Sequence, residues 1–312
     1  MSGRFKSVFE NFWFPAWPAA RLGVLRVLLG LYVLQDLVRV RRAAHTLSDG
    51  DPLLWDPVGV TTLLAGPLAP AQWHTVYDAT IGLCLLFILG AGWRVIGPLF
   101  AGFLLFSWTY RVSWQMIYHV HHLTMLHVLV VAAAPAAAAV SVDAWWGSRR
   151  GRPAPAPSWR FGWPVRLVCV VTAILYCLAG VAKVQLAGWG WADGHNLLDQ
   201  IAYDGLYKGL LGRDDRDMPS PLIAYAFSYA WLLGPAATGS LMVELGAPIA
   251  LLHRRIGYAW SLAAIGMHWG IHLFMNLVFP YPISGMAFLS FFPLEKLLPA
   301  RWRGDTTEAA SG

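Results

Sequence analysis

Residues able to move protons stand in stretches of this chain that have no structural need of them. WQMIYHVHHLTMLHV, residues 114–128, holds His119, His121, His122 and His127 in an otherwise apolar run. Lys183 lies in AGVAKV, Glu244 in LMVELGAP, and His268, His272 and Asn276 in GMHWGIHLFMN. Imidazole takes or gives a proton near neutral pH. An amine at an apolar boundary loses solvation of its charged form and can accept a proton. A carboxylate within a membrane helix costs a few kcal/mol unless paired or protonated, so Glu244 needs a partner or a task. The set is one for general acid–base chemistry. His119 and His122 are three apart, and His268 and His272 four apart, so each pair shares a helical face. His121 points about 100° from His122 at helical pitch, so the upper three cannot all meet one partner.

The elements that must position these groups read as membrane helices. Of 312 residues, 57% are apolar and 13% charged, about half the charged fraction of a soluble domain. Mean hydropathy is +0.51. The expected fold is all-α, a polytopic transmembrane bundle of about eight spans, near 21–40, 74–91, 95–110, 115–134, 164–186, 228–252, 256–279 and 282–298. Residues 221–235 are a candidate ninth. Residues 1–20 and 299–312 form cytoplasmic ends. The start, MSGRFKSVFENFWFPAWP, shows no small-residue cleavage site, so the first span is expected to anchor the mature chain.

The net charge of +6 is gathered in short loops, a topogenic pattern rather than a nucleic-acid surface. WWGSRRGRPAPAPSWR, 145–160, carries four arginines and marks the cytoplasmic face of a bacterial inner membrane, with both termini on that side. Arg41-Arg42 and Arg111 violate the pattern. Cys84, Cys169 and Cys177 lie in apolar runs without CxxC spacing and read as small core residues. The external loop 187–221 holds six Asp residues and, in HNLLDQIAYDGLYKGLL, apolar spacing that predicts a surface amphipathic helix.

This topology places Lys183, His119, His122 and His272 at one depth toward the outer face, with His268 deeper. Each residue also has an ordinary reading. Lys183 could snorkel to the headgroups, a lone His is more often a bonded core residue, and Trp108, Tyr110 and Trp114 suit an aromatic belt. Their grouping argues for a shared site: six of ten histidines fall in two spans.

FSWTYRVSWQMIYHVHHLTMLHVLVVAAAP, SVDAWWG, LYCLAGVAKVQLAGWGWADG and GMHWGIHLFMNLVFPYPISGMAFLSFFP, in that order, resemble the membrane domain of vitamin K-dependent γ-carboxylases, called HTTM (horizontally transferred transmembrane) in bacterial proteins. RLGVLRVLLGLYVLQDL resembles its first span, so the likeness runs from about residue 20 to 298. The resemblance implies a vitamin K-type hydroquinone cofactor (menaquinol or phylloquinol), with Lys183 as the base that starts oxygenation. It implies a role for His122 at a later proton or CO₂ step, and a placement for His268. His119, His121, His272, Trp114, Tyr118, Glu244 and Asn276 are the expected binding residues, and no metal is expected. Animal members carry a large extramembrane C-terminal region that binds peptide, whereas RWRGDTTEAASG is only a tail. The likeness therefore implies quinone handling more than peptide carboxylation, with a peptide or a separate extramembrane protein as a further partner beside the bilayer.

Two other functions compete. Histidines from the fourth and seventh spans could supply the axial ligands of a b-type haem or hold a metal. Alternatively the polar residues are interhelical glue in a non-enzymatic bundle that binds lipid or a partner protein.

Overall fold

The computed structural model describes residues 2–114, 119–211 and 218–303. Among these, every regular element is helical, and one isolated β-bridge joins Trp17 to Ser158. The chain divides into two compact units, Met1–Val168 with Pro293–Gly312, and Cys169–Phe292.

The first unit contains α1 (Ser2–Trp13), α2 (Ala19–Thr46), α3 (Pro70–Leu89), α4 (Trp93–Val112), α5 (His122–Ala132), α6 (Val142–Arg149) and the opening turns of α7 (Trp159–Ala187). Gly30 lets α3 approach α2: a Cβ there would lie 2.5 Å from the Ile88 side chain. Across that contact Trp73 donates its indole N–H to the Ala44 carbonyl (2.7 Å) and Tyr77 its hydroxyl to that of Leu37 (3.0 Å). Thr80 and Ser107 hydrogen-bond between α3 and α4 at 2.8 Å. Such pairs join helices that apolar burial alone would not hold together in lipid. Arg26, fully buried, reaches three backbone carbonyls, those of Ala136, Ile88 and Val140. Residues after Pro293 return to α2, where Arg21 grips the buried Glu295 carboxylate through Nε and Nη2 at 2.7 and 2.6 Å.

The SVD of SVDAWWG is a double cap. Ser141 accepts from Ala144 N–H and starts α6, while both Asp143 oxygens accept, at 2.9 Å each, from the Gly92 and Trp93 N–H groups that open α4. A carboxylate there satisfies orphan donors and meets the positive helix end. Asp143→Ala is expected to cost about 1–2 kcal/mol, read as lost thermal stability in detergent.

The second unit holds the rest of α7, then α8 (His195–Leu211), α9 (Ile223–Ser228), α10 (Leu233–Leu245), α11 (Arg254–Met275) and α12 (Pro280–Ile283). Ile201, Ala226 and Leu233 form a buried cluster with Leu197, Leu198, Phe274 and Met275 against it. α11 stops at Asn276, whose φ of 50° is left-handed, a role Asn fills more readily than most residues. The carbonyls freed there accept from Lys208 Nζ (Met275 O) and Ser220 Oγ (Leu273 O).

Among the described residues, two helical stretches are long and apolar enough to cross a membrane, Trp93–Val112 and Trp159–Asp193. Not all of the eight expected spans become long helices. In 228–252 the α-helix α10 has 13 residues, a rise of about 20 Å against a hydrocarbon core of about 30 Å. Expected span 282–298 is broken into 3-10 turns at Met286–Phe291 and Leu294–Leu297. Pro282, Pro293 and Gly285 at φ 79° explain the break. Residues 221–235 hold the six-residue α9.

Candidate functional site

In the second unit, Lys183 and Glu244 meet. The amine Nζ donates to Glu244 Oε1 at 2.7 Å and stands 5.0 Å over the Trp191 ring. The lysine side chain is 25% exposed and that of Glu244 only 7%, so the amine is turned into the protein rather than outward. Gly180, one turn before Lys183 on the same face of α7, makes the pairing geometrically available. A Cβ there would stand 2.9 Å from both the Glu244 Cβ and a Leu245 methyl. Gly180→Val is therefore expected to force α7 and α10 apart, lowering stability by about 1–3 kcal/mol in thermal unfolding.

A second pair adjoins the first. Tyr176 and His268 share a 2.6 Å hydrogen bond between hydroxyl and Nε2, and both are buried. Tyr176 stands two turns before Lys183 on the same face of α7, and that helix carries one member of each pair. Trp260 and Phe288 pack edge-on or tilted against Tyr176, and Phe279 edge-on against His268. Four buried polar atoms of this unit have no hydrogen-bond partner: Glu244 Oε2, His268 Nδ1, His272 Nδ1 and Trp191 Nε1. Buried polar atoms are nearly always paired, so these four leave bonding capacity for a ligand or water with hydroxyl-like groups. His272 lies beside Trp269, and Asn276 donates to the Met218 carbonyl at 3.0 Å as part of the α11 stop.

The remaining expected site residues belong to the first unit. His121 stacks flat on Trp108, centroids 4.3 Å apart, with Nε2 3.7 Å from Asp36 Oδ2. Arg111 Nη1 lies 3.9 Å from the same oxygen, and Arg39 holds Oδ1 at 3.1 Å. His122 is exposed at the start of α5 and His127 is buried in it. His119 opens a 3-10 turn; its side chain, and all of Tyr118, lie outside the described residues. Trp114 packs against Trp55 and Tyr110.

Three groups were not anticipated from sequence. Asp36 is the carboxylate on which Arg39, Arg111 and His121 converge. Tyr176 is the hydroxyl bonded to His268. His45 and His74 are stacked at 4.1 Å, and His45 and Arg41 share Asp78. Only Tyr176 had a sequence signal, standing seven residues before Lys183 and so on its helical face. An apolar groove on α3 and α4, lined by Val76, Pro98, Leu99, Phe103 and Phe106, carries no titratable group. Among the described residues, no three of His, Cys, Asp and Glu gather closely enough to hold a metal ion.

No curated protein and no solved structure matches this chain. The HTTM domain does, over residues 14–293. That interval takes in α2 through α12 and every residue of the Lys183–Glu244 and Tyr176–His268 pairs, and with most of its length matched the chain belongs to the HTTM domain family.

Proposed function

We propose that the protein is a multi-pass membrane enzyme acting on a lipid hydroquinone, with Lys183 as the base. The observation that carries this reading is the part-buried Lys183–Glu244 pair, in a unit that also holds unpartnered Glu244 Oε2, His268 Nδ1, His272 Nδ1 and Trp191 Nε1. The donor set fits a flat dihydroxy ring: acceptors and donors for hydroxyl groups, indole and phenyl faces for the ring, and apolar surroundings for an isoprenoid tail. A naphthohydroquinone would supply a phenolic hydroxyl whose loss of a proton makes the ring strongly reducing.

The chain's own part is proton handling. An ammonium is no base until it gives up a proton, and Glu244 Oε1 lies on the 2.7 Å bond along which that proton can leave. Transfer from Nζ to Oε1 bares the amine lone pair while keeping the pair neutral, a favourable exchange where water is scarce. Tyr176 holds the His268 ring through Nε2, leaving Nδ1 to face a ligand.

Coupling to carboxylation of a Glu side chain, on a peptide or with a separate extramembrane protein, is the extension that the family association supports. Eight crossings of a bacterial plasma membrane with cytoplasmic termini complete the reading, supported by the arginine-rich 145–160 loop.

The test is binding. Reduced menaquinone titrated into purified protein is expected to quench tryptophan fluorescence saturably, with Trp191→Phe removing part of the signal. His268→Ala is expected to weaken the affinity roughly tenfold, the value of one hydrogen bond to a buried group. Absence of saturable quenching, or a red protein with a Soret band lost on His268→Ala, defeats the reading; the second result favours haem.

A further inference from the structure

We infer that α8 is an interfacial membrane anchor, its C-terminal half set into the headgroup–acyl boundary with Tyr203, Leu206, Tyr207 and Leu210 toward lipid. The helix is amphipathic in the sense opposite to a water-facing one. The charges of its C-terminal half point inward: Lys208, 8% exposed, bonds Asp204 at 2.8 Å and caps the α11 C-terminus at Met275 O. Its large apolar groups point out, with Tyr203 68%, Leu206 65% and Leu210 74% exposed. In water, a stripe of that size is an unfavourable surface for a monomer.

Three observations select a bilayer as the covering phase. α8 begins at His195, two residues after the apolar stretch Trp159–Asp193 ends, so it starts where a membrane-capable helix gives out. The outward groups around it are rich in tyrosine and tryptophan, whose apolar bodies and polar tips suit the membrane–water boundary. Polarity also runs along the exposed stripe. His195, Asp199 and Gln200 lie at the N-terminal end, and Tyr207, Leu210 and Leu211 at the C-terminal end. A helix tilted into a surface needs that gradient, and Gly205 permits the inner face to seat closely on Ile223 of α9. The inference does not depend on the quinol reading.

The experiment uses the full chain carrying Cys177→Ala, since Cys84 and Cys169 are buried. Single cysteines at Asp199, Tyr207 and Leu210, all exposed sites, are labelled with an environment-sensitive fluorophore. The protein is then reconstituted in phosphatidylethanolamine–phosphatidylglycerol vesicles. Labels at 207 and 210 are expected to emit to the blue of that at 199, and spin-labelled lipid should quench them severalfold more strongly. Water-like emission at all three sites overturns the proposal. So does shielding of 207 and 210 from both lipid quencher and iodide, an outcome that assigns the face to a protein partner or a second copy.

Discussion

Lys183→Arg is expected to keep the fold and lose the turnover. A guanidinium still pairs with the Glu244 carboxylate, so the contact between α7 and α10 survives. It does not give up its proton in a protein, and so cannot act as a base. Hydroquinone-dependent oxygen consumption by the reconstituted protein should fall by about 10²–10⁴-fold, the usual worth of a positioned general base. Thermal unfolding should stay close to that of the unsubstituted chain. Lys183→Ala should lose the same activity and stability besides, because it leaves a buried carboxylate unpaired. Glu244→Gln isolates the other half of the pair. Its amide oxygen still accepts from Nζ, yet it cannot store the proton, so a roughly tenfold to hundredfold loss is expected with little change in menaquinol affinity. Full activity in Lys183→Arg would reduce the pair to interhelical glue.

Glu244 shows how far one sequence reaches. Its apolar setting announced that a buried carboxylate needed a partner, and Lys183 stood out for the same reason. That each is the other's partner depends on the rotation and approach of α7 and α10. A single chain encodes this only through small residues such as Gly180, whose missing side chain becomes meaningful once the facing helix is known. The arginines that break the charge asymmetry teach a related lesson. Arg41 pairs bidentately with Asp78, and Arg111 faces Asp36. Both therefore have carboxylate partners in the fold, which a count of loop charges does not register. Asp36 gave no signal in sequence, because its burial follows from Arg111 of α4 and the His121 turn packing over it. The helical nature of the chain was legible from composition. The number of long spans was not, because hydropathy averages over residues whereas Pro282, Gly285 and Pro293 each stop a helix individually.

Removing the Arg26 side chain should destabilise the first unit by roughly 3–6 kcal/mol, since three carbonyls lose a buried donor at about 1–3 kcal/mol apiece, discounted for relaxation. Those carbonyls are ones no helix can satisfy. Ile88 lies in the last turn of α3, where backbone acceptors run out. Ala136 and Val140 lie in the irregular stretch between α5 and α6, where Val140 holds a φ of 53° that a β-branched residue seldom adopts. Arg26 thus substitutes for water at a chain reversal too buried to be hydrated, and its planar fork lets one side chain serve acceptors in different directions. Arg26→Lys is the discriminating variant. It preserves the charge but offers a single nitrogen, so it should recover only about a third of the loss in detergent melts, scaling with the acceptors still reached. Complete rescue by lysine would show that charge alone, through its attraction to Asp143, is what this position requires.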